Sequence, residues 1–478
     1  MNIIKKITLG ITCIAVLLTV GCESVAESVI KGCTDSTACN YDIEATQDNN
    51  TCTYAMANMT CSDACINDVD SDGICDESEF DLCGNITTND TLYAQNDYTL
   101  SCQTFVKDGV TLTIMPGTTI KATSDDGNGL APALVIEQGA KIMAEGTADQ
   151  PITFTSITPS NELINKRGNW GGLILLGKAP ISTTGGTNFV EGLTDVPYGG
   201  SDPADNSGIL KYVRVWHGGK SIGQDNEING ITLAGVGNGT TVEYCEVAYN
   251  VDDGFEMFGG TVDLKYCSVH NVGDDAFDTD EGYQGRGQFL FVHRDDASDK
   301  AHEMDSKTNG DLDSTPRSHP WFSNVTIVGG SEDALRLREG TGGDFRNYII
   351  VGGDEGVRND DNGSETVSQT PQSTACAGNG ATSGCDYLYI SPNFVMNVGG
   401  DAFEDIDDSA DFPGIFIDAG SDGASELGVT GDSPTPTSGG LAFENVDTQA
   451  SSWFTSTAYK GAFNANENWL LGWGYNWE

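Results

Sequence analysis

The sequence predicts an all-β fold, a right-handed parallel β-helix preceded by a small disulfide-rich module that binds calcium. The 60 glycines among 478 residues separate short runs in which apolar and polar residues alternate, as in strands joined by tight turns. Matching residues recur 22 positions apart, as in Tyr244 and Tyr266 or Asp253 and Asp275. Because one coil of a solenoid buries its inward side chains only against stacked neighbours, such a period is typical of β-helix coils.

The chain begins with a predicted export signal over residues 1–21. Lys5 and Lys6 precede an apolar run at residues 7–20, which is too short for a comfortable transmembrane helix. The end of the run, LTVGC, resembles a bacterial lipobox, and this resemblance implies cleavage after Gly21 and acylation of Cys22. We therefore expect an exported protein that Cys22 anchors in a membrane, at the outer membrane or the cell surface.

The charge of the chain excludes several classes of partner. Aspartate and glutamate number 71 against 23 lysines and arginines, which gives a formal net charge of −48. Such a surface repels nucleic acid and anionic lipid. The sequence also lacks a Walker loop and a dinucleotide-binding fingerprint, so we expect neither nucleic-acid nor nucleotide binding.

Residues 22–83 are predicted to form a cysteine-rich stalk. Apolar residues are sparse here, and an exported chain can use disulfides in place of a core. The expected disulfide cysteines of the N-terminal quarter are Cys33, Cys39, Cys52, Cys61, Cys65, Cys75, Cys83 and Cys102. The run GCTDSTACNYD (residues 32–42) resembles a cysteine module of surface proteins from Bacteroidetes-type bacteria, a likeness that implies no activity.

Two further pairs of cysteines lie in the rest of the chain. Cys376 and Cys385 are expected to close a loop of their own. Cys245 and Cys267 lie one coil apart and are either a thiol ladder or a bridge between coils, and strand neighbours rarely meet disulfide geometry.

A calcium loop is predicted within the stalk, at DVDSDGICDESE (residues 68–79). Calcium requires six to eight oxygen ligands, and this spacing wraps acidic side chains around one point. The run resembles the loops of thrombospondin type 3 and dockerin modules. The expected Ca²⁺ ligands, with Ile74 contributing its carbonyl, are Asp68, Asp70, Asp72, Ile74, Asp76 and Glu79.

Residues 84–440 are predicted to form the β-helix, and residues 441–478 an aromatic cap over the open edge of its last coil. The segments NWGGLILLGKAPI (169–181) and KGAFNANENWLLGW (460–473) resemble β-helix surface proteins that are often predicted lipoproteins of the same bacteria. That resemblance implies the fold and a surface location.

A four-residue formula recurs along the β-helix: an acid, Gly or Ala, an apolar residue and a charge. One copy is Asp253-Gly254-Phe255-Glu256. We interpret the acid, with Asp252, as a turn residue, the apolar residue as inward-facing and the last charge as outward-facing. The resulting outward ladder along one face is Glu256, Asp278, Asp280, Glu303, Asp305, Arg336, Arg338 and Arg358.

Two functions remain open for this ladder. The first is a non-catalytic binding or structural module, stabilised by calcium, with polysaccharide as a candidate ligand. The second is a calcium-dependent polysaccharide lyase or glycoside hydrolase in which the same eight residues would be catalytic. GDDAF (273–277) resembles the paired aspartates of polygalacturonases, but the Gly-His-Gly and Arg-Ile-Lys motifs of that family do not follow it.

Overall fold

The computed structural model describes residues 29–55, 59–62, 64–68, 75, 78–190, 193, 196–220, 228–306, 314–360, 366–367, 387–404, 417–418, 427–449, 451–475 and 477. The chain divides into two compact units, Met1–Glu77 and Ser78–Glu478. The predicted signal peptide, Cys22, Cys376 and Cys385 lie outside the described residues. No helix in the described part of the chain is long and apolar enough to cross a bilayer.

Strands are the main regular elements of the described chain. In order they are β1 (Lys31–Gly32), β2 (Gln47–Asp48), β3 (Glu79–Ile86), β4 (Asp90–Leu92), β5 (Asp97–Val106), β6 (Thr111–Ile114), β7 (Thr119–Ala122), β8 (Leu134–Ile136), β9 (Lys141–Glu145), β10 (Ile152–Ser156), β11 (Leu173–Leu176), β12 (Asn188–Phe189), β13 (Pro197–Tyr198), β14 (Gly208–Trp216), β15 (Ile231–Ala234), β16 (Thr241–Ala248), β17 (Phe255–Phe258), β18 (Asp263–His270), β19 (Phe277–Asp280), β20 (Arg286–Arg294), β21 (His302–Met304), β22 (Trp321–Gly329), β23 (Leu335–Leu337), β24 (Gly343–Val351), β25 (Val357–Asn359), β26 (Thr366–Val367), β27 (Tyr387–Ile390), β28 (Val395–Asn397), β29 (Phe403–Glu404) and β30 (Ile417–Asp418), followed by a 3₁₀ helix at Leu441–Phe443.

The N-terminal unit is held by disulfides, as predicted for a segment with few apolar residues. Its disulfides join Cys33 to Cys52, Cys39 to Cys61, and Cys65 to Cys75. The fourth disulfide, Cys83 to Cys102, lies within the second unit and links β3 to β5. The solenoid therefore begins at β3, slightly before the boundary at residue 84 that the sequence indicated.

The second unit is a parallel β-helix, which confirms the predicted fold class. Its strands form three parallel faces, and the chain passes from one face to the next within each coil. The face that we call sheet 1 runs β8, β11, β15, β17, β19, β21, β23, β25 and β29. The long strands β14, β16, β18, β20, β22 and β24 each supply the other two faces.

Each long strand bends at one residue with a left-handed backbone. The residues at this bend are Tyr212, Tyr244, Tyr266, Phe289, Asn324 and Asn347, with φ between 49° and 61°. The aromatic rings at the bend stack in adjacent coils, with Tyr212–Tyr244 and Tyr244–Tyr266 centroid distances of 4.5 Å. Because a left-handed conformation costs energy for a bulky residue, the ring stacking offsets a local strain.

The core consists of side chains stacked along the coils. Phe255 and Phe277 are fully buried, with ring centroids 5.2 Å apart, as the apolar position of the formula predicts. Cys245 and Cys267 are buried free thiols, so the thiol-ladder alternative is correct. The 22-residue step does not hold in every coil, because Phe277 pairs with His302 and His302 pairs with Leu335.

The C-terminal segment (residues 427–449, 451–475 and 477) lies against the side of the central coils. Arg214 Nη1 donates to the Trp473 carbonyl (3.0 Å), and the Trp473 ring meets the Tyr212 ring edge-on at 5.4 Å. Gly461 N donates to the Asn347 carbonyl (2.8 Å). The sequence predicted a cap over the last coil. The described contacts lie instead along the bend, where the row of stacked rings provides an apolar surface for the tryptophans of this segment.

Candidate functional site

Sheet 1 carries the charged residues of the repeated formula on its outer surface. The strand register pairs Glu256 with Asp278, Asp278 with Glu303, Glu303 with Arg336, and Arg336 with Arg358. The structure therefore brings these five side chains into one column that crosses β17, β19, β21, β23 and β25.

A second, shorter column runs beside the first at the ends of the same strands. Asp280 pairs with Phe258. Asp305 N donates to the Thr279 carbonyl (2.8 Å), and Arg338 N donates to the Met304 carbonyl (3.1 Å). Asp280, Asp305 and Arg338 thus follow one another in consecutive coils, and all eight predicted ladder residues lie on one face.

The arginines of both columns are paired with protein carboxylates. Arg336 donates from Nε (3.0 Å) and Nη2 (2.6 Å) to Asp360, and Arg358 Nε donates to the same carboxylate (2.9 Å). Arg338 Nε donates to both oxygens of Asp305 at 2.9 Å. In the structure these guanidinium groups are already neutralised.

The carboxylates at the other end of the column have no such partner. One oxygen each from Asp253, Glu256 and Asp278 lie within 4.8 Å of one another. No ion pair among the described residues includes any of the three. We call these three residues the carboxylate cluster. Like charges at this separation repel strongly unless a proton or a cation lies between them.

Asn229 completes one side of the carboxylate cluster. Its side chain is 5% exposed, and its Nδ2 donates to Glu256 Oε2. Its Oδ1 is buried without a hydrogen-bond partner, as is Asp278 Oδ1. Buried polar atoms in native proteins are usually satisfied. These two oxygens accept no hydrogen bond and lie at the carboxylate cluster, so they are suitable ligands for a hard cation.

Asp253 has a structural role as well. Its Oδ1 accepts the backbone N–H of Asp275 (2.9 Å), and Asp275 Oδ1 in turn accepts the N–H of Lys300 (2.6 Å). These bonds connect the turns of successive coils, which agrees with the interpretation of the acid as a turn residue. Asp253 therefore accepts a hydrogen bond that stabilises the turn, and it also contributes a carboxylate oxygen to the carboxylate cluster.

The acidic side chains have raised pKa values, chiefly because they are buried. Burial and the nearby charge of Asp278 raise the pKa of Glu256 well above its ordinary range. Burial and the charge of Asp253 do the same to the pKa of Asp278. Burial raises the pKa of Asp280 to about 6 and that of Asp305 to about 7. The site thus favours bound protons or a bound cation near neutral pH.

A cleft of about 630 Å³ surrounds the carboxylate cluster. Its acidic lining comprises Asp252, Asp253, Glu256, Asp274, Asp275, Asp278, Asp280, Glu281 and Glu303. In the part of the chain that the structure describes, no lysine, arginine or histidine lines the cleft. The cleft therefore presents carboxyl oxygens and no basic side chain.

A β-hairpin formed by β12 and β13 makes one wall of the cleft. Asn188 pairs with Tyr198 across the hairpin. Tyr198 Oη donates to Glu281 Oε2 and Asn188 Nδ2 donates to Glu281 Oε1, both at 2.7 Å. Tyr198 also packs with Ile174 and its neighbours on the outside of sheet 1. The hairpin is thus fixed both to the apolar first coils and to the acidic face.

The model of the family described as a pectate-lyase like beta helix domain matches residues 84–380. The chain belongs to this family. Neither the curated proteins nor the solved structures include a significant match. The matched part of this pectate-lyase like domain contains the carboxylate cluster, Asn229, the hairpin and the three ladder arginines.

Within this pectate-lyase like domain, the sequence pattern did not indicate several of the cleft residues. Asn229 and Glu281 lie outside the repeated formula, so the repeat did not indicate them as site residues. The segment Lys300-Ala301-His302-Glu303 departs from the formula at two positions, because a lysine replaces the acid and a histidine replaces the apolar residue. The irregular spacing between this segment and the neighbouring copies of the formula obscured the relation, although Glu303 itself was predicted as a ladder residue.

The predicted calcium loop of the stalk is mostly outside the described residues. Asp68 is described in the N-terminal unit, and Glu79 opens β3 with Asp97 as its Cα partner. Calcium binding there stays a prediction. The ligands outside the described residues are Asp70, Asp72, Ile74 and Asp76.

Proposed function

We propose that this chain is an exported, non-catalytic binding module that holds a divalent cation, Ca²⁺, in its acidic cleft and engages polysaccharide through it. The observation that carries the proposal is the carboxylate cluster. Three acids on the floor of a cleft, within 4.8 Å and without a basic partner, form an anionic site that a cation would neutralise.

The ligand chemistry of the cluster favours Ca²⁺. Calcium takes six to eight oxygen ligands in flexible geometry, whereas Mg²⁺ demands near-ideal octahedra and keeps its waters. Asp253, Glu256, Asp278 and the Oδ1 of Asn229 supply at least four oxygens from the protein. The remaining positions would be left for water or for hydroxyl and carboxylate oxygens of a glycan, which is how an acidic cleft would hold an acidic polymer.

The surroundings of the cluster favour binding over β-elimination. A lyase needs a base that removes the proton next to the uronate carboxylate, and the basic residues of the predicted ladder are its arginines. Arg336, Arg338 and Arg358 are engaged by carboxylates. The pairing raises the pKa of Arg338, so its guanidinium stays protonated and cannot accept that proton.

A glycoside hydrolase is the second candidate, because carboxyl groups with separated pKa values are what general acid catalysis requires. Asp280, with its pKa raised to about 6 by burial, would be the acid, and a carboxylate of the neighbouring column would be the second group. Release of reducing ends from polygalacturonate or alginate without a rise in absorbance near 235 nm, abolished by Asp280→Asn, would establish this alternative in place of the binding role.

The proposed setting is a cell surface. Acylation of Cys22 would anchor the protein in a membrane, and the stalk, with calcium bound at residues 68–79, would join this anchor to the β-helix in the chain. The net charge of −48 is compatible with a medium that contains salt and millimolar calcium, which screens the self-repulsion of the surface.

Affinity electrophoresis tests the polysaccharide part of the proposal. In gels that contain polygalacturonate or alginate, we expect retardation of the protein with millimolar Ca²⁺ and none with EDTA. A variant with Glu256→Gln and Asp278→Asn should migrate freely, because it lacks two cation ligands. The control is Asp296→Asn, which removes an exposed acid outside the cluster.

Two outcomes would contradict this proposal. Retardation that survives both EDTA and the double substitution would show that the glycan does not bind through a cation in the cleft. An increase in absorbance near 235 nm in the same mixtures would reveal unsaturated uronate products and therefore a lyase.

A further inference from the structure

Two histidines lie in the interface between the β-helix and the C-terminal segment. His270 at the end of β18 and His293 in β20 are register partners, and their ring centroids are 6.2 Å apart. His270 is 1% exposed, and the ring centroid of Trp477 lies 5.4 Å from that of His270. Gly431 packs so closely on His293 that a Cβ at this glycine would lie 2.1 Å from Nε2 of the histidine. The C-terminal segment therefore covers both imidazoles.

The ring nitrogens of the two histidines are poorly satisfied. Both nitrogens of His270 and Nδ1 of His293 are buried without a hydrogen-bond partner. A neutral imidazole tolerates such a site better than an imidazolium, because the charged form loses far more hydration energy on burial. Burial, and next the neighbouring His270, lower the pKa of His293. The interface with the C-terminal segment therefore fits two neutral histidines.

One buried carboxylate lies beside this pair of histidines. Glu246 is fully buried, and its Oε2 lies 3.2 Å from His270 Nε2. Its Oε1 accepts the backbone N–H of Tyr475 in the C-terminal segment (2.8 Å) and the indole N–H of Trp216 (2.9 Å). Glu246 thus holds the C-terminal segment to β16 and can neutralise a proton on His270.

The acids that face His293 are less effective partners. They are Asp295, which follows β20, and Asp432 of the C-terminal segment. Arg167 Nη2 donates to both oxygens of Asp295, at 2.7 and 2.9 Å. Asp432 is exposed, so water screens its charge. Among the described residues, the charged groups around the two imidazoles are therefore one buried carboxylate, Glu246, one neutralised acid and one screened acid.

We propose that His270 and His293 form an acid-sensitive latch, which releases the C-terminal segment from the central coils when both histidines are protonated. Two imidazolium groups in adjacent coils share a single buried carboxylate, and exposure to water relieves their repulsion. The released state binds the second proton more tightly than the docked state, so release is favoured as the pH falls below about 6.5. This latch is independent of the cation proposed for the cleft.

Release of the segment exposes the row of stacked rings at the bend. The Trp473 ring lies 5.4 Å from Tyr212, and the Trp469 ring lies 5.7 Å from Tyr266, both edge-on. When these tryptophans leave, the covered aromatic row becomes an apolar surface. Exposed apolar surfaces of this kind are where proteins bind partners, so the latch would make a second binding surface available in acid.

Hydrogen exchange of the full chain, followed by mass spectrometry at about pH 5 and about pH 7.5, tests the latch across the range in which histidines titrate. Proteins are compared at the same pH, because the chemical exchange rate itself depends on pH. We expect peptides from residues 461–475 of the wild type to lose protection at about pH 5, while the strands of sheet 1 keep theirs. His293→Gln should slow exchange of these peptides at about pH 5 by about tenfold, the effect of one pKa unit.

A control and a second variant make the result decisive. His319→Gln removes a buried histidine whose ring instead meets that of Trp321, and it should release the segment as the wild type does. Glu246→Gln should release the segment at a higher pH, because no buried carboxylate then neutralises His270.

Three results would overturn the latch. The first is equal exchange of residues 461–475 at about pH 5 in the wild type, His293→Gln and Glu246→Gln. The second is full protection of these residues in the wild type at about pH 5. The third is simultaneous loss of protection in sheet 1, which would indicate global unfolding in acid rather than release of one segment.

Discussion

In calcium-free buffer at about pH 8.5, the variant with Glu256→Gln and Asp278→Asn is expected to be more stable than the wild type, by about 3 kcal/mol. Like charges some 4–5 Å apart cost about 3–4 kcal/mol at the effective dielectric constant of a protein surface. The two isosteric amides remove that repulsion without creating a cavity. Thermal unfolding in EDTA measures the difference.

The pH dependence of the wild type has a defined sign. Burial raises the folded-state pKa of the cluster acids, and that of Asp305 to about 7. As pH rises above the unfolded values near 4, the unfolded chain therefore loses protons first. Stability should fall as pH rises toward and through the folded pKa values.

His302 has the opposite effect at lower pH. Burial lowers the folded pKa of His302 to about 3. Below about pH 6.5 the unfolded chain therefore binds a proton that the folded chain does not, and stability falls toward acid. Comparison of the wild type with the double variant at about pH 6.5 and about pH 8.5 cancels the histidine contribution, because both proteins contain the same histidines, and leaves the contribution of the acids.

We expect the wild type to lose stability between these two pH values in EDTA and the double variant to lose less. Added Ca²⁺ should restore the wild type and leave the double variant unchanged at the cleft. Asp296→Asn serves as the control for removal of one negative charge. Equal pH dependence in the wild type and the double variant would contradict the repulsion that we assign to the cluster.

The substitution Trp473→Ala is expected to destabilise the β-helix by about 3–5 kcal/mol, the usual cost of removing a buried tryptophan. Trp473 is fully buried, and its Nε1 donates to the Trp469 carbonyl at 2.6 Å. Its ring covers Tyr212, and Tyr244 lies 6.4 Å from it. Without this contact, the left-handed bends of both tyrosines face water and their strain is no longer offset.

Denaturant unfolding followed by circular dichroism measures this effect. Leu471→Ala is the matched control, because Leu471 lies two residues away and is 63% exposed. It should shift the free energy of unfolding by less than about 0.5 kcal/mol. An unfolding midpoint of Trp473→Ala within error of that control would show that the C-terminal segment does not stabilise the central coils.

The coil architecture was predictable because it follows from local rules that repeat. Strand alternation sends Phe255 inward and Glu256 outward, and a 22-residue step places Asp278 next to Glu256. Each of these statements needs only the sequence of one coil and its neighbour. The predicted column of charges on sheet 1 required nothing further.

The side-chain contacts around the cleft were not predictable from these local rules. The contacts of Asn188 and Tyr198 with Glu281 join residues far apart in the sequence, and no sequence repeat indicates them. The neutralisation of Arg336 and Arg358 depends on Asp360, which lies outside the formula. Pairing of this kind is decided by side-chain geometry, and it changed the arginines from candidate ligand groups to structural ones.

Calcium calorimetry on the full chain tests the central claim most directly. The stalk loop and the cleft should each bind calcium independently. Asp70→Ala should therefore abolish only the calcium binding of the stalk loop. The variant with Glu256→Gln and Asp278→Asn should abolish only the calcium binding of the cleft. We predict that Asp70→Ala retains one calcium site, and that this site is lost when the cleft substitutions are added. Calcium binding that the cleft substitutions leave unchanged would contradict a cation site in the carboxylate cluster.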